Sequence, residues 1–230
     1  GREYATGGYE TWSASGLTGV WAEENTRDAI YRAFRRKETF ATSGPRITVR
    51  LFGGYGFDDT LLTQAALLEE AYTRGVSMGG ELLGADGTAP TFIAWATRDP
   101  ASAALQRLQI VKGWTIDGAH HEQVYDVACA DGGNVNPATH RCPDNGASVD
   151  LTDCSLTPGL GAGELKTVWR DPAFDPDHRA VYYVRVLENP TCRWSTWDAV
   201  RAGVAPNPNL HPTLQERAWS SPVWYVPSAN

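Results

Sequence analysis

The 230-residue chain has one methionine and no long apolar run. No stretch approaches the roughly 18 consecutive apolar residues of a membrane-spanning helix, so no membrane span is expected. Basic residues number 20 against 27 acidic, giving a net charge of -7, and the only basic cluster is Arg32 with Arg35, Arg36 and Lys37. A nucleic-acid partner would need a broader basic surface, and that class is set aside. There is no C-x-x-C pair, no H-x-H, no G-x-S-x-G elbow, no phosphate-loop lysine and no internal repeat. The usual signatures of zinc modules, α/β-hydrolases and nucleotide-binding loops are therefore absent. The chain opens "GREYATGGYETW" without an initiator Met or a signal peptide, and reads as a mature or cut fragment of something longer.

What is plentiful is aromatic and turn chemistry: nine Trp, nine Tyr, 23 Gly and 14 Pro. Aromatics suit pleated, half-buried surfaces, so the composition predicts a β-rich, loop-rich body. Four cysteines, Cys129, Cys142, Cys154 and Cys192, are candidates for disulfides. Three of them bracket the polar loop 129–154, which has little apolar material to hold itself together. A zinc site built from Cys129, His140, Cys142 and Cys154 is the rival reading, but its spacing matches no common module. An even cysteine count points to a periplasmic or extracellular location, and the pairing is left open among three connectivities.

Hydrophobic periodicity supplies the elements. Asn25 is placed to cap a helix in which Ile30, Ala33 and Phe34 share one face and the basic cluster occupies the other and the C-terminus, ending near Glu38. "TFATSG" reads as a short buried strand, and "RITVRLFGG" alternates with Ile47, Val49 and Leu51 on one side. "TLLTQAALLEEAYTRG" reads as a second helix stopped by Gly75. Beyond it follow strand-like runs, "TFIAWAT", "LQRLQIVKGW", "HEQVYDVAC", "LKTVWR", "AVYYVRVLE" and "SPVWYVP", with Asp117-Gly118 as a hairpin turn. "TWDAVRAG" reads as a short helix. Several short strands with turns between them argue for an antiparallel, sandwich-like module.

Candidate site residues fall at element ends. Glu23, Glu24 and Asn25 sit at the mouth of the first helix, and Thr42, Ser43 and Arg46 surround the Gly44-Pro45 turn. Arg185 and Arg193 lie beside Glu188 and Trp194, where arginines could fork onto an oxyanion. No metal-ligand cluster is expected within the chain, since no histidine has a carboxylate at a convincing spacing.

Several separated stretches, "GLTGVWAEENTRDAIYRAFRRKETFATSGPRI", "GVSMGGEL", "LQRLQIVKGW", "VYYVRVLENPTCRWSTWDAVRAG" and "LQERAWSSPVWY", resemble the C-terminal region of a bacterial branch of the PHP (polymerase and histidinol phosphatase) superfamily, a branch labelled only as a domain of unknown function. The resemblance implies an α+β chain: residues 1–46 as the tail of a PHP-like β/α barrel (loop, helix, strand), and 47–230 as an appended β-rich module. It also implies a metal-dependent hydrolase of phosphate or sulfate esters, with divalent metals held by ligands upstream of this chain. The partner would then be the upstream barrel portion of the same protein, together with a possible homo-oligomer. Glu23, Glu24, Asn25, Thr42, Ser43 and Arg46 match the family motif and would border the substrate end of the barrel. A non-catalytic extracellular structural or binding module is the alternative.

Overall fold

The computed structural model describes Trp12 and residues 15–228. In chain order the elements are β1 (Leu17–Val20), α1 (Arg27–Arg36), β2 (Thr39–Thr42), β3 (Thr48–Gly54), α2 (Leu67–Arg74), β4 (Gly75–Ser77), β5 (Glu81–Leu83) and β6 (Thr91–Thr97). Two long strands follow, β7 (Leu105–Ile116) and β8 (Ala119–Cys129), and then β9 (Glu164–Arg170), β10 (Ala180–Glu188) and β11 (Thr191–Cys192). The last elements are α3 (Trp194–Arg201), β12 (Thr213–Leu214), β13 (Arg217–Ser220) and β14 (Val223–Val226).

Two sheets carry the fold. The larger runs β1-β2-β13-β10-β14-β5, with β7 on the free edge of β10 and β8 outside β7; every pair is antiparallel except β14 with β5. The smaller runs β4-β3-β6-β9. Their facing sides share one apolar core, with Ile47, Val49, Leu51 and Phe92 from one sheet against Ile110, Tyr182, Val184 and Val223 from the other. β10 shows why: its residues alternate buried and half-buried along the whole strand, the period-2 signature of a sheet with one face inward. A second cluster lies on the far face of the smaller sheet, where Phe57, Leu61, Leu67 and Ala71 cover Phe52 and Ile93.

Local chemistry fixes the joints. Asp117 and Gly118 both take positive φ between Ile116 and Ala119, the turn that matches the right-handed twist of the β7–β8 hairpin. β13 and β14 pair with the same edge of β10, and Ser220 Oγ accepts the Val184 N–H between them at 3.0 Å.

The expected α+β chain with a barrel tail is overturned. The three α-helices among the described residues are short, strands dominate, and no β/α-barrel fragment is evident. The segment read as barrel instead pairs β1 with β2 antiparallel and passes β2 on to β13, so α1 spans two neighbouring strands of one sheet edge. The helix cap also moves by one residue: Thr26, not Asn25, accepts the Ala29 N–H, at 3.3 Å. The second helix is shorter than its periodicity suggested. Asp59–Thr63 forms a 3₁₀ turn, Gln64 is extended, and α2 begins only at Leu67.

All four cysteines are paired, Cys129 with Cys142 and Cys154 with Cys192, which overturns the zinc rival and settles the connectivity. Asp126, almost fully buried, anchors the first loop by accepting the Cys142 N–H at 2.7 Å and Gln109 Nε2 at 2.6 Å. Two disulfides fit an oxidising compartment. No helix of the described residues is long and apolar enough to cross a membrane.

One buried carboxylate has a pH consequence. Glu188 is fully buried, receives Ser102 Oγ at 2.6 Å, and leaves Oε1 without a partner among the described residues. Burial pushes its pKa up to about 7; Glu216 and Asp99 add to the rise, while the Ser102 hydrogen bond and Arg98 oppose it. The folded-state value lies above the ordinary 4.5, so the folded chain holds the proton more tightly, and stability is lost as pH rises from about 4.5 through about 7. Glu188→Gln, which cannot ionise, is expected to be more stable than wild type at pH 8 by up to about 3 kcal/mol, with the gap closing towards pH 4.5. Urea melts at the two pH values check this; a constant gap would show that Glu188 is not the titrating group.

Candidate functional site: a polar pocket between the first two helices and the smaller sheet

A cavity of about 740 Å³ opens where α1, α2, β3 and β4 meet. Between its lining residues Met78 and Gly80 sits Gly79, whose φ of +88° only glycine adopts easily and where a Cβ would come within 2.5 Å of the Arg36 and Lys37 carbonyls. That close approach presses the C-terminus of α1 onto the turn after β4. Lys37 then ends the helix in the left-handed conformation, its N–H reaching the Ala33 and Phe34 carbonyls, and the chain reverses to deliver Glu38 inward.

Glu38 is 4% exposed and is the polar centre of the pocket. It accepts hydrogen bonds from Tyr72 Oη on α2 and, at 2.8 Å, from Ser77 Oγ on β4, and Arg36 lies 3.4 Å away. Arg36 also meets Glu23 at 3.0 Å, so one guanidinium serves two carboxylates. The Glu23 carboxyl is held below its ordinary range, chiefly by a backbone amide hydrogen bond. The Tyr72 hydroxyl is raised, first by burial and then by its bond to Glu38.

Arg50, central on β3, is the other cation. Its guanidinium lies 3.6 Å from the centre of the Trp21 ring and donates to Tyr72 Oη at 3.1 Å. Trp21 cannot drift, because its backbone N–H donates to the Glu38 carbonyl at 3.0 Å and its Nε1 to the Val49 carbonyl at 2.8 Å. Among the described residues no carboxylate pairs with Arg50, which leaves most of its five N–H donors available to the pocket. A fixed guanidinium with spare donors and an aromatic backing suits an oxyanion, and Arg36 offsets part of the charge of Glu23 and Glu38 beside it. No group of three or more His, Cys, Asp or Glu side chains among the described residues is placed to hold a metal ion, so the metals implied by the resemblance do not fit this pocket and no step is derived through them.

Of the sequence candidates, only Glu23 lines this cavity. Glu24 accepts from Thr26 Oγ1 at 3.2 Å, and Asn25 is exposed in the turn before α1. Thr42 is buried in β2 and accepts the Gly44 N–H, while Ser43 donates to Glu216 at 2.5 Å and accepts the Arg217 N–H at 2.8 Å. The Arg46 backbone N–H bonds Asp99 at 2.7 Å. Arg185 donates to Gln109 at 2.6 Å on the outer face of β10, and Arg193 donates to the Trp12 carbonyl at 2.8 Å at the start of α3. These groups join strands and turns instead of converging on one site. Trp21, Arg36, Glu38, Arg50, Tyr72 and Ser77 were not foreseen. Arg50 stands with Arg46 and Thr48 on the side of the predicted strand away from Ile47, Val49 and Leu51.

Fold and pocket together define a disulfide-bonded, two-sheet β protein with a polar, arginine-bearing ligand cavity. The chain belongs to the family described as Protein of unknown function (DUF3604), which matches residues 2–227. No curated protein and no solved structure matches it.

Proposed function

We propose that this chain is the β-rich module of a secreted hydrolase of phosphate or sulfate esters, and that its own task is to bind the anionic group of the ligand. The observation that supports this is Arg50: stacked on Trp21, unpaired with any carboxylate among the described residues, and facing a cavity of about 740 Å³. The PHP resemblance supports the hydrolase assignment, and the two disulfides support secretion. Divalent metals and the water they activate would be held by residues outside this chain. Within it, Arg50 would bind the anion in a forked geometry, Tyr72 would pass hydrogen bonding from Arg50 to Glu38, and Trp21 would hold the guanidinium flat. A non-catalytic extracellular structural or binding module is the second reading, supported by the Arg50 pocket itself, which can hold an anion without acting on it.

Binding of phenyl phosphate and phenyl sulfate to the chain, followed by calorimetry, tests the pocket. Arg50→Ala is expected to weaken whichever ligand binds at least 10-fold, and Arg50→Lys to restore little, because lysine offers neither the fork nor the flat stack. Failure of both ligands to bind the wild-type chain rejects the anion pocket. Hydrolysis of 4-nitrophenyl esters by protein carrying this module, with KM raised by Arg50→Lys, separates the hydrolase from the binding module.

A further inference from the structure

A second cavity, about 420 Å³, lies at one end of the larger sheet, where Glu81 follows Gly80 of the arginine pocket. Strand register places Glu122, Gly113, Val181, Trp224 and Glu81 side by side in one row across β8, β7, β10, β14 and β5. Registered neighbours share a face, and the row alternates with Ala180, Tyr182 and Val223, which point into the core. The row therefore faces outward. Gly113 contributes no side chain, and a Cβ there would come within 3.1 Å of Val181, so the surface sinks at its middle. Trp224, 48% exposed, stands on one side of this notch. Thr115 and His120, hydrogen-bonded to each other at 3.2 Å, stand on the other, and Arg179 closes the end at the start of β10. Trp224 and the hairpin are two strand spacings apart, about 10 Å, which is room for one six-membered sugar ring.

We propose that this notch is a carbohydrate-binding subsite in which the apolar face of a neutral pyranose lies on the Trp224 indole while its hydroxyls bond to Glu81, Thr115, His120 and Arg179. An exposed indole offers a rigid platform at little entropic cost, and sugar hydroxyls both donate and accept, as this mixed rim requires. Other ligands fit less well. Glu81 in the notch and Glu122 beside it outweigh the single charge of Arg179 and disfavour a phosphate, a sulfate or an acidic sugar. A net charge of -7 disfavours nucleic acid, and the ring of polar groups disfavours a purely apolar partner surface.

An array of immobilised neutral oligosaccharides, built from glucose, galactose, mannose and N-acetylhexosamines, is the direct test. The wild-type chain is expected to bind at least one of these sugar classes. Trp224→Ala is expected to lower that affinity at least 10-fold, Trp224→Phe to keep part of it, and Arg50→Ala in the other pocket to leave it unchanged. Trp224 is half exposed, so far-UV circular dichroism of Trp224→Ala should match wild type, which separates lost binding from lost folding. Absence of binding to any neutral sugar, binding that survives Trp224→Ala, or binding confined to acidic sugars would overturn the proposal.

Discussion

Replacing Lys112 by methionine is expected to destabilise the chain by about 3–5 kcal/mol, because it leaves one buried carboxylate without its cation. Lys112 Nζ lies 2.5 Å from Asp171 Oδ2, and both residues are almost completely buried. The pair is fully dressed: Lys112 Nζ also donates to the Ala173 carbonyl at 2.8 Å, while Asp171 accepts the Ala173 N–H and Tyr182 Oη, each at 2.8 Å. Burial and the neighbouring Asp171 charge raise the Tyr182 hydroxyl, so it stays a hydrogen-bond donor throughout the physiological range. Methionine keeps much of the lysine stem's volume, so the loss reports charge and not a cavity. Urea unfolding followed by circular dichroism measures it. A loss below about 1 kcal/mol would mean that water reaches Asp171 and compensates it, contrary to its burial.

That cluster also shows why part of the fold could be read in advance. β10 is rich in valine and tyrosine, and Asp117-Gly118 marks a two-residue turn after β7, so strands and hairpin follow from local chemistry alone. Lys112 and Asp171 come from different strands and loops, and nothing in either local sequence pairs them. The same limit explains the barrel misreading. A short strand, an amphipathic helix and another short strand look alike in a β/α barrel and at the edge of an antiparallel sheet. The difference is that β2 pairs with β13, near the other end of the chain, and pairing partners are not written into local periodicity. The arginine pocket was hidden in the same way. Glu38 looked like the residue at which a helix stops, and Tyr72 fell inside the predicted second helix; only the turn at Gly79, the α2 packing and the β3 register bring them to Ser77 and Arg50. Glu23 was within reach because it sits beside its partner helix and needs only Arg36, three turns along, to be held in place.

The two disulfides differ in what else holds their loops, and this makes the longer one the more consequential. Removing the Cys154–Cys192 bridge by a double Cys→Ser substitution is expected to cost about 4 kcal/mol, from the loop-closure entropy of a separation of 38 residues. The Cys129–Cys142 bridge closes only 13, worth about 3 kcal/mol by the same relation. Its loop is also gripped without the bond, since Asp126 accepts the Cys142 N–H and its own N–H reaches the His140 carbonyl at 2.9 Å. Apart from the disulfide, the segment that follows is tied down by hydrogen bonds: the Asn145 side chain to Gln106, Asp131 and Asn189, the Gly161 N–H to Asp131, Asn189 Nδ2 to the Leu160 carbonyl, a bridge between Leu105 and Ala162, and Ser148–Thr157 and Val149–Leu156 pairing within it. It carries almost no buried apolar side chain, so the bond to β11 stands in for a core that this stretch does not have. Loss of the Cys154–Cys192 bridge should therefore show first as proteolytic cleavage within residues 143–163 at temperatures where the two sheets remain folded, and second as the larger drop in urea midpoint of the two double variants. Equal protease resistance in both variants would mean that the hydrogen bonds of Asn145, not the disulfide, hold the segment against the sandwich.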